Sequence, residues 1–541
     1  MRTYILLIAS SILLLSCELK PAVDTIIINA NIYTVNDNFE VAQAMAIKDG
    51  KIVEVASNLV IQSKYRPEYI NNAEGKTIVP GFIDAHCHFL GLGLSKQKVN
   101  LVGTKSFDEV IERIVDFQKE KNVAYITGRG WDQNDWDIKE YPTKEKLDKL
   151  FPNTPIAIRR IDGHALLANQ AAIDLAGVTI NTLFEGGEIL KKEGQLTGVF
   201  IDMPMDLIEN KIPPTPKKQK IQALLDAQTH GFYFGLTTVD DAGLSRSSIE
   251  LIDSLQQSGD LKMRIYAMIS NKKEDVDYYL QKGIYKTDKL NVRSVKVYAD
   301  GALGSRGAAL KKSYSDKHNH FGALLSSPES FKEIAEKLAN SEFQMNTHAI
   351  GDSANAMLLN IYKEVLKDKV NKRWRIEHAQ IVSSEDVELF KNVIPSVQPT
   401  HATSDMYWAE DRLGAARIKT AYAYKKLLKA HGKIALGTDF PVEKVSPILT
   451  FYAAVTRKDL KQFPKNGFQI ENALTREEAL RGMTIWAAYS NFEENEKGSL
   501  EAGKFADFAI LNKNIMEISE DEILDIHVEE TYVNGEIVYK K

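Results

Sequence analysis

The sequence predicts an α/β fold: a (β/α)8 barrel of TIM type, with a small β-sandwich built from both chain ends and a cap inserted after barrel strand one. Three observations carry this. Eight short apolar runs alternate with helical stretches, the order expected of βα units around a parallel sheet. Strand-and-turn patterns of one style stand at both ends of the 541-residue chain. Residues 90–225 separate the first apolar run from the second, too many for a single βα connection.

Composition sets outer bounds. With 44% hydrophobic and 26% charged residues the chain is ordinary globular protein, long enough for two or three structural units. A net charge of −5, without a Lys/Arg stripe interleaved with aromatics, excludes the electrostatic footprint of a nucleic-acid binder and leaves small molecules as the expected partners. The pattern leaves a homo-oligomer open.

The elements follow in order. "MRTYILLIASSILLLSC" resembles a bacterial lipoprotein signal, which implies a signal peptide over 1–16, lipidation at Cys17 and a tether over 17–23. The implied location is the bacterial cell envelope, lipid-anchored on the periplasmic or outer surface. No other stretch approaches 18 apolar residues, and with Cys17 assigned only Cys87 remains, so no disulfide is available. "DTIIINANIYTV" and "AQAMAIKDGKIVEVA" read as strands, with Asp49-Gly50 as a hairpin turn; "GKFADFAIL" and "EETYVNGEIVYKK" repeat the style, with Asn534-Gly535 as the turn. Residues 24–79 and 500–541 are therefore expected to form one composite β-sandwich around a barrel over 80–499. The barrel strands are "VPGFIDAHC", "GLTTVDDA", "KMRIYAMIS", "VRSVKVYAD", "EFQMNTHAI", "RWRIEHAQI", "VIPSVQPTH" and "KIALGTDF". The cap, 90–225, ends at a linker, "IPPTPKKQ", leading into the helix "KIQALLDAQTHG".

In barrels of this type chemistry sits at the carboxyl ends of the strands. Side chains two apart on a strand share a face, so His86 and His88 can hold one ion while Cys87 points into packing. Eleven histidines placed at random give about 0.2 such pairs. A second pair, His318 and His320, lies in a charged stretch that reads as solvated loop. What distinguishes the first pair is company: His348 in "NTHAIGD", His378 in "RIEHAQ" and Asp439 in "LGTDFPV" each stand at the end of a predicted barrel strand. Imidazole nitrogens and a carboxylate suit zinc, and after it manganese, iron or cobalt. Lys296 alternates with Val295 and Val297, and a lysine buried beside divalent ions is shifted toward the neutral amine, which takes up carbon dioxide to form a carbamate.

Nine ordered motifs, "PGFIDAHCHF", "GRGWDQNDW", "RIDGHALLAN", "GLTTVDDAG", "VKVYADGALGSRGAAL", "NTHAIGD", "RIEHAQ", "VQPTHATSD" and "LGTDFPVE", make the chain resemble the amidohydrolase superfamily, in the family 3 or YtcJ-like branch that includes N-substituted formamide deformylases. The resemblance implies metal ligands at His86, His88, His348, His378 and Asp439, holding one or two divalent ions, with Lys296 as a carboxylated bridge. Asp439 would shuttle the proton, and the metal or His378 with its neighbours would steady the oxyanion. Trp131, Asp132, His164, Asp300, Arg306 and His401 are expected to read a small amide-like substrate. The reaction expected is hydrolysis of a non-peptide C–N bond. Competing readings are a dipeptidase-like or lactone-cleaving enzyme on the same centre, and a membrane-tethered metal- or ligand-binding lipoprotein without turnover.

Overall fold

The computed structural model describes residues 20–161, 165–183, 187–304, 306–367, 369 and 371–541. Cys17 and His164 lie outside the described residues.

Eight parallel strands form a nearly closed barrel in sequential order: strand one Phe82–Cys87, two Leu236–Leu244, three Arg264–Ser270, four Leu290–Tyr298, five Gln344–Ala349, six Arg375–His378, seven Ile394–Val397 and eight Ala435–Leu436. Burial on both faces is why these stretches read as near-continuous apolar runs; strands one, six and seven are buried at every position. Strand eight returns beside strand one through side chains as well as backbone. Thr438 donates its N–H and hydroxyl to Asp84 at 3.0 and 2.7 Å, and the Asp439 N–H donates to the His86 carbonyl at 2.7 Å. That seam fixes Asp439 against His86.

The barrel interior is not wholly apolar. Arg375 on strand six, fully buried, donates to Asp240 on strand two at 2.9 Å and to the Ala85 carbonyl at 3.1 Å. Such a pair balances its charge internally, as buried charges must.

Two further sheets are built from the chain ends. One, in the order Lys51–Ala56, Ala44–Lys48, Ala22–Ile28, Arg66–Asn72, comes from the first part of the chain alone. The other runs Glu536–Lys540, Val528–Val533, Phe508–Leu511, Thr77–Pro80, Asn31–Tyr33, Val41–Ala42, so that late strands pair directly with early ones. Ile27, Met45 and Ile47 of the first sheet pack with Ile78, Phe508, Ile510 and Tyr532 of the second. Both hairpin turns have positive φ at both central residues, 50° and 74° at Asp49-Gly50 and 52° and 71° at Asn534-Gly535, the conformation that suits tight hairpins. Arg264 of strand three, fully buried, ties the barrel to this region through Asp507 at 2.5 and 3.0 Å.

Between strands one and two a third sheet takes the order Gly187–Lys192, Gln195–Asp202, Ala165–Ala168, Ile156–Arg160, Ile126–Trp131, Val99–Asn100. It has its own core, with Trp131, Trp136 and Ile158 packed beneath helix Phe107–Lys121 through Val110 and Ile114. Helix Lys217–Tyr233 then leads into strand two, running two residues beyond the Gly231 expected near its end. Among the described residues no helix is long and apolar enough to cross a membrane.

Candidate metal centre

Strand ends bring five expected ligands and the lysine to one place. The His86 and His378 ring centroids are 4.8 Å apart, and those of His348 and His378 4.5 Å. Asp439 presents Oδ1 to His88 Nε2 at 3.3 Å and to His86 Nε2 at 3.8 Å. Lys296 Nζ lies 2.9 Å from His86 Nε2. His401, expected to read substrate, instead joins this cluster: its Nε2 faces Asp439 Oδ2 at 3.8 Å and its ring stacks on His378 at 6.0 Å. His86, His88 and Asp439 form one group with ligand atoms close enough to share an ion, and His378, His401 and Asp439 form a second.

Local backbone geometry explains how neighbours on a strand can both face inward. Alternation would send Glu377 and His378 to opposite sides. His378 instead has φ of 71° and Ala379 of 40°, so the chain leaves the extended conformation there and the ring turns back toward the mouth. Asp439, with φ of 63°, turns in the same way. Non-glycine residues in this region are strained and are found where structure over-determines them.

Electrostatics prepares the cluster for a cation. Burial, with Lys296 close by, lowers the His86 pKa and brings His348 down to about 3; burial and the His348 ring hold His378 well below its ordinary range. These rings are neutral and carry lone pairs, the form that ligates metal. Burial works to raise Asp439, but the facing His88 nitrogen and the neighbouring His378 and His86 rings outweigh that and hold it ionised, well below the carboxylate range. Lys296, 1% exposed, is brought down to about 8 by burial.

The donors fit a divalent ion on this geometry. His86 gives Nδ1–H to Glu377 at 2.5 Å, His88 to the Ala242 carbonyl at 3.2 Å and His378 to the Gln398 side-chain oxygen at 2.8 Å. With Nδ1 so engaged, each ring turns its Nε2 toward the site. His88 Nε2 and Asp439 Oδ1 face each other as two acceptors, and Asp439 Oδ1, His348 Nε2 and His401 Nε2 are buried without a hydrogen-bond partner. A cation satisfies all of them.

This arrangement corrects several expectations. His378, its one proton given to Gln398, has none at Nε2 to offer an oxyanion. Trp131 is 0% exposed, its indole N–H donating to the Ile158 carbonyl at 2.9 Å, so it packs the cap core and cannot meet a substrate. Asp300 accepts the backbone N–H groups of Ala309, Ile350 and Gly351 at 2.9, 3.0 and 2.8 Å, pinning the loop after strand four to the end of strand five. Arg306 pairs with Asp316 at 2.8 Å in the loop after strand four, and Asp132 receives Arg160 at 2.5 Å. Cys87 is buried with Sγ 3.4 Å from the Asp240 carbonyl, a packing residue as its strand position predicts.

Glu377 and Gln398 were not visible as site residues from sequence. The available signal was a carboxylate two positions after Arg375 inside a strand expected to be buried on both faces, where a charge is costly unless it is paired. Burial acts to raise Glu377, yet the His86 ring and Arg375 hold it at about 2.

A parallel barrel whose strand ends gather neutral imidazoles around an ionised aspartate defines a metal-binding barrel of the hydrolase type. The chain belongs to the amidohydrolase family, whose model it matches over residues 70–539. It is 30% identical over 523 residues to the putative amidohydrolase YtcJ of Bacillus subtilis (strain 168), covering 94% of this chain and 98% of that protein. It is 25% identical over 547 residues to the N-substituted formamide deformylase of Arthrobacter pascens, covering 96% and 98%. An uncharacterized metal-dependent hydrolase from Pyrococcus horikoshii OT3 superposes with a TM-score of 0.77 at 28% identity, covering 92% of this chain and 99% of that one.

Proposed function

We propose that this chain hydrolyses a non-peptide carbon–nitrogen bond in a small amide, N-formyl or cyclic amide substrate, with one or two divalent ions, zinc by preference, in the cluster. The observation that carries the reading is Asp439, one carboxylate shared by both ligand groups, with Oδ1 toward His86 and His88 and Oδ2 toward His401. The likeness to an N-substituted formamide deformylase supports the bond type.

His86, His88, His348, His378 and Asp439 would hold the metal, with His401 as a further donor and Lys296, as a carbamate, bridging two ions. A divalent ion there supplies Lewis-acid chemistry, polarising a carbonyl and bringing the pKa of water to about 7. Asp439 is ionised and therefore a base: it takes the proton of the attacking water and returns it to the leaving nitrogen. Glu377 holds the His86 ring in the tautomer that faces the site, as Gln398 does for His378. Lys296, with its pKa near 8, has a neutral fraction at physiological pH able to take up carbon dioxide.

Asp439→Asn tests the proton shuttle. With a panel of N-alkyl formamides, the zinc-loaded variant is expected to lose at least about 10²-fold in kcat. Undiminished turnover would remove Asp439 from this role.

The signal-like amino terminus supports a lipid anchor at Cys17 on the bacterial cell envelope. Cys17→Ser is expected to release the chain from the membrane fraction; full retention would argue against the anchor.

A further inference from the structure

Negative charge develops on the carbonyl oxygen when water attacks a planar amide, and a preorganised hydrogen-bond donor there is worth much of the rate. His86, His88 and His378 have each committed Nδ1–H elsewhere and face the site as lone pairs. His401 faces the Asp439 carboxylate. Beside the metal, which polarises the same oxygen, a hydrogen-bond donor is best sought outside these rings.

Tyr298 is placed to be that donor. It is the last residue of strand four, two positions beyond Lys296 and on the same side. Lys296 Nζ stands 5.0 Å from its ring centroid, and the His348 ring lies 5.8 Å away. The ring is thereby held against the cluster while the residue stays 42% exposed. Among the described residues no group hydrogen-bonds to its hydroxyl. A protein that fixes the ring of a tyrosine and leaves its hydroxyl unpaired at the mouth has left a donor for a ligand.

Gly243 shows where that hydroxyl points. A Cβ on Gly243 would come 3.1 Å from the Tyr298 hydroxyl oxygen, and Gly243 has φ of +84°. It follows Ala242, whose carbonyl orients His88. The hydroxyl therefore reaches from strand four to the end of strand two, beside the residue that positions a ligand, and the missing side chain keeps that place open.

We propose that the Tyr298 hydroxyl donates a hydrogen bond to the carbonyl oxygen of the substrate, retained as that oxygen becomes an oxyanion, and that Gly243, lacking a side chain, leaves the hydroxyl its room. The proton stays on the tyrosine throughout. This rests on the hydrolytic reading above and deepens it.

The test is binding of methylphosphonate, whose anionic tetrahedral oxygens stand for the oxyanion, to the zinc-loaded full chain by calorimetry. Tyr298→Phe keeps the ring and removes only the donor. It is expected to bind about tenfold or more weaker at unchanged zinc content, and to lose about 10²-fold in kcat on N-alkyl formamides with a smaller change in KM. Gly243→Ala, which keeps the hydroxyl but displaces it, is expected to weaken phosphonate in the same direction. Phosphonate affinity equal to wild type in Tyr298→Phe, a wild type that does not bind it, or loss of zinc in Tyr298→Phe would each overturn the assignment. Failure of the wild type to hydrolyse any formamide, with the phosphonate difference intact, would instead remove the proposed substrate and leave the donor standing.

Discussion

Glu377 shows how much of this site lies in residues that never touch substrate. Its carboxylate, 0% exposed, is held by His86 at 2.5 Å with Arg375 4.0 Å away, and so fixes which nitrogen of His86 faces the cluster. Glu377→Gln keeps the shape and removes the charge. It is expected to weaken metal retention by about 10- to 100-fold, measured by competition with a chelator; unchanged affinity would mean that the His86 tautomer does not depend on this contact. The same group predicts an acid dependence. Its folded-state pKa, about 2, lies below the ordinary glutamate value of about 4.3, so the stability it contributes is present above that value and lost as pH falls toward 2. In metal-free protein the Gln variant should show a shallower fall of Tm over that window. At this scale the sequence was legible where a residue type had one plausible use: four histidines and an aspartate at the ends of predicted barrel strands. It was illegible where strand alternation gave the wrong answer. Glu377 and His378 are sequence neighbours on one strand, and only the positive φ at His378 brings both to the same site.

Among the elements, the eight barrel strands could be read as apolar runs because burial on both faces removes the polar alternation that complicates other sheets. The two Asx-Gly turns were legible for an equally local reason, since both central residues adopt positive φ. The helix that follows His88 was not. Phe89–Ser95 carries glycines at positions 91 and 93, a poor helix by propensity, and it forms because it lies against Lys217–Tyr233. Gly93 is the contact point: a Cβ there would fall 1.9 Å from the Ala223 carbonyl oxygen. Gly93→Ala must push the two helices apart and is expected to destabilise the chain by about 1–3 kcal/mol and to reduce metal retention through His88, the residue at the start of the helix. Thermal unfolding with metal analysis checks both, and wild-type values for each would show that the interface yields without cost. The aromatic cap motif "GRGWDQNDW" was misread because a Trp inside a conspicuous motif looks like a ligand contact, whereas Trp131 is the centre of the cap's own core.

For the whole molecule, the two chain ends meet in one sheet, where Phe508–Leu511 pairs antiparallel with Thr77–Pro80 immediately before strand one. The Arg264–Asp507 pair, buried on both sides, binds that sheet region to strand three, so the first ligand strand is held from outside the barrel as well as within it. The same architecture lets Asp439 close the barrel seam while belonging to both ligand groups. The central claim is that hydrolysis depends on metal held there. Its most direct measurement is zinc titration into the chelated full chain, with bicarbonate present, following bound zinc and turnover of N-alkyl formamides together. The account predicts that chelation abolishes turnover and that activity returns in proportion to zinc, saturating near about two ions per chain if Lys296 bridges them. Turnover that survives complete removal of metal, or full zinc occupancy with no hydrolysis of any amide offered, would contradict it.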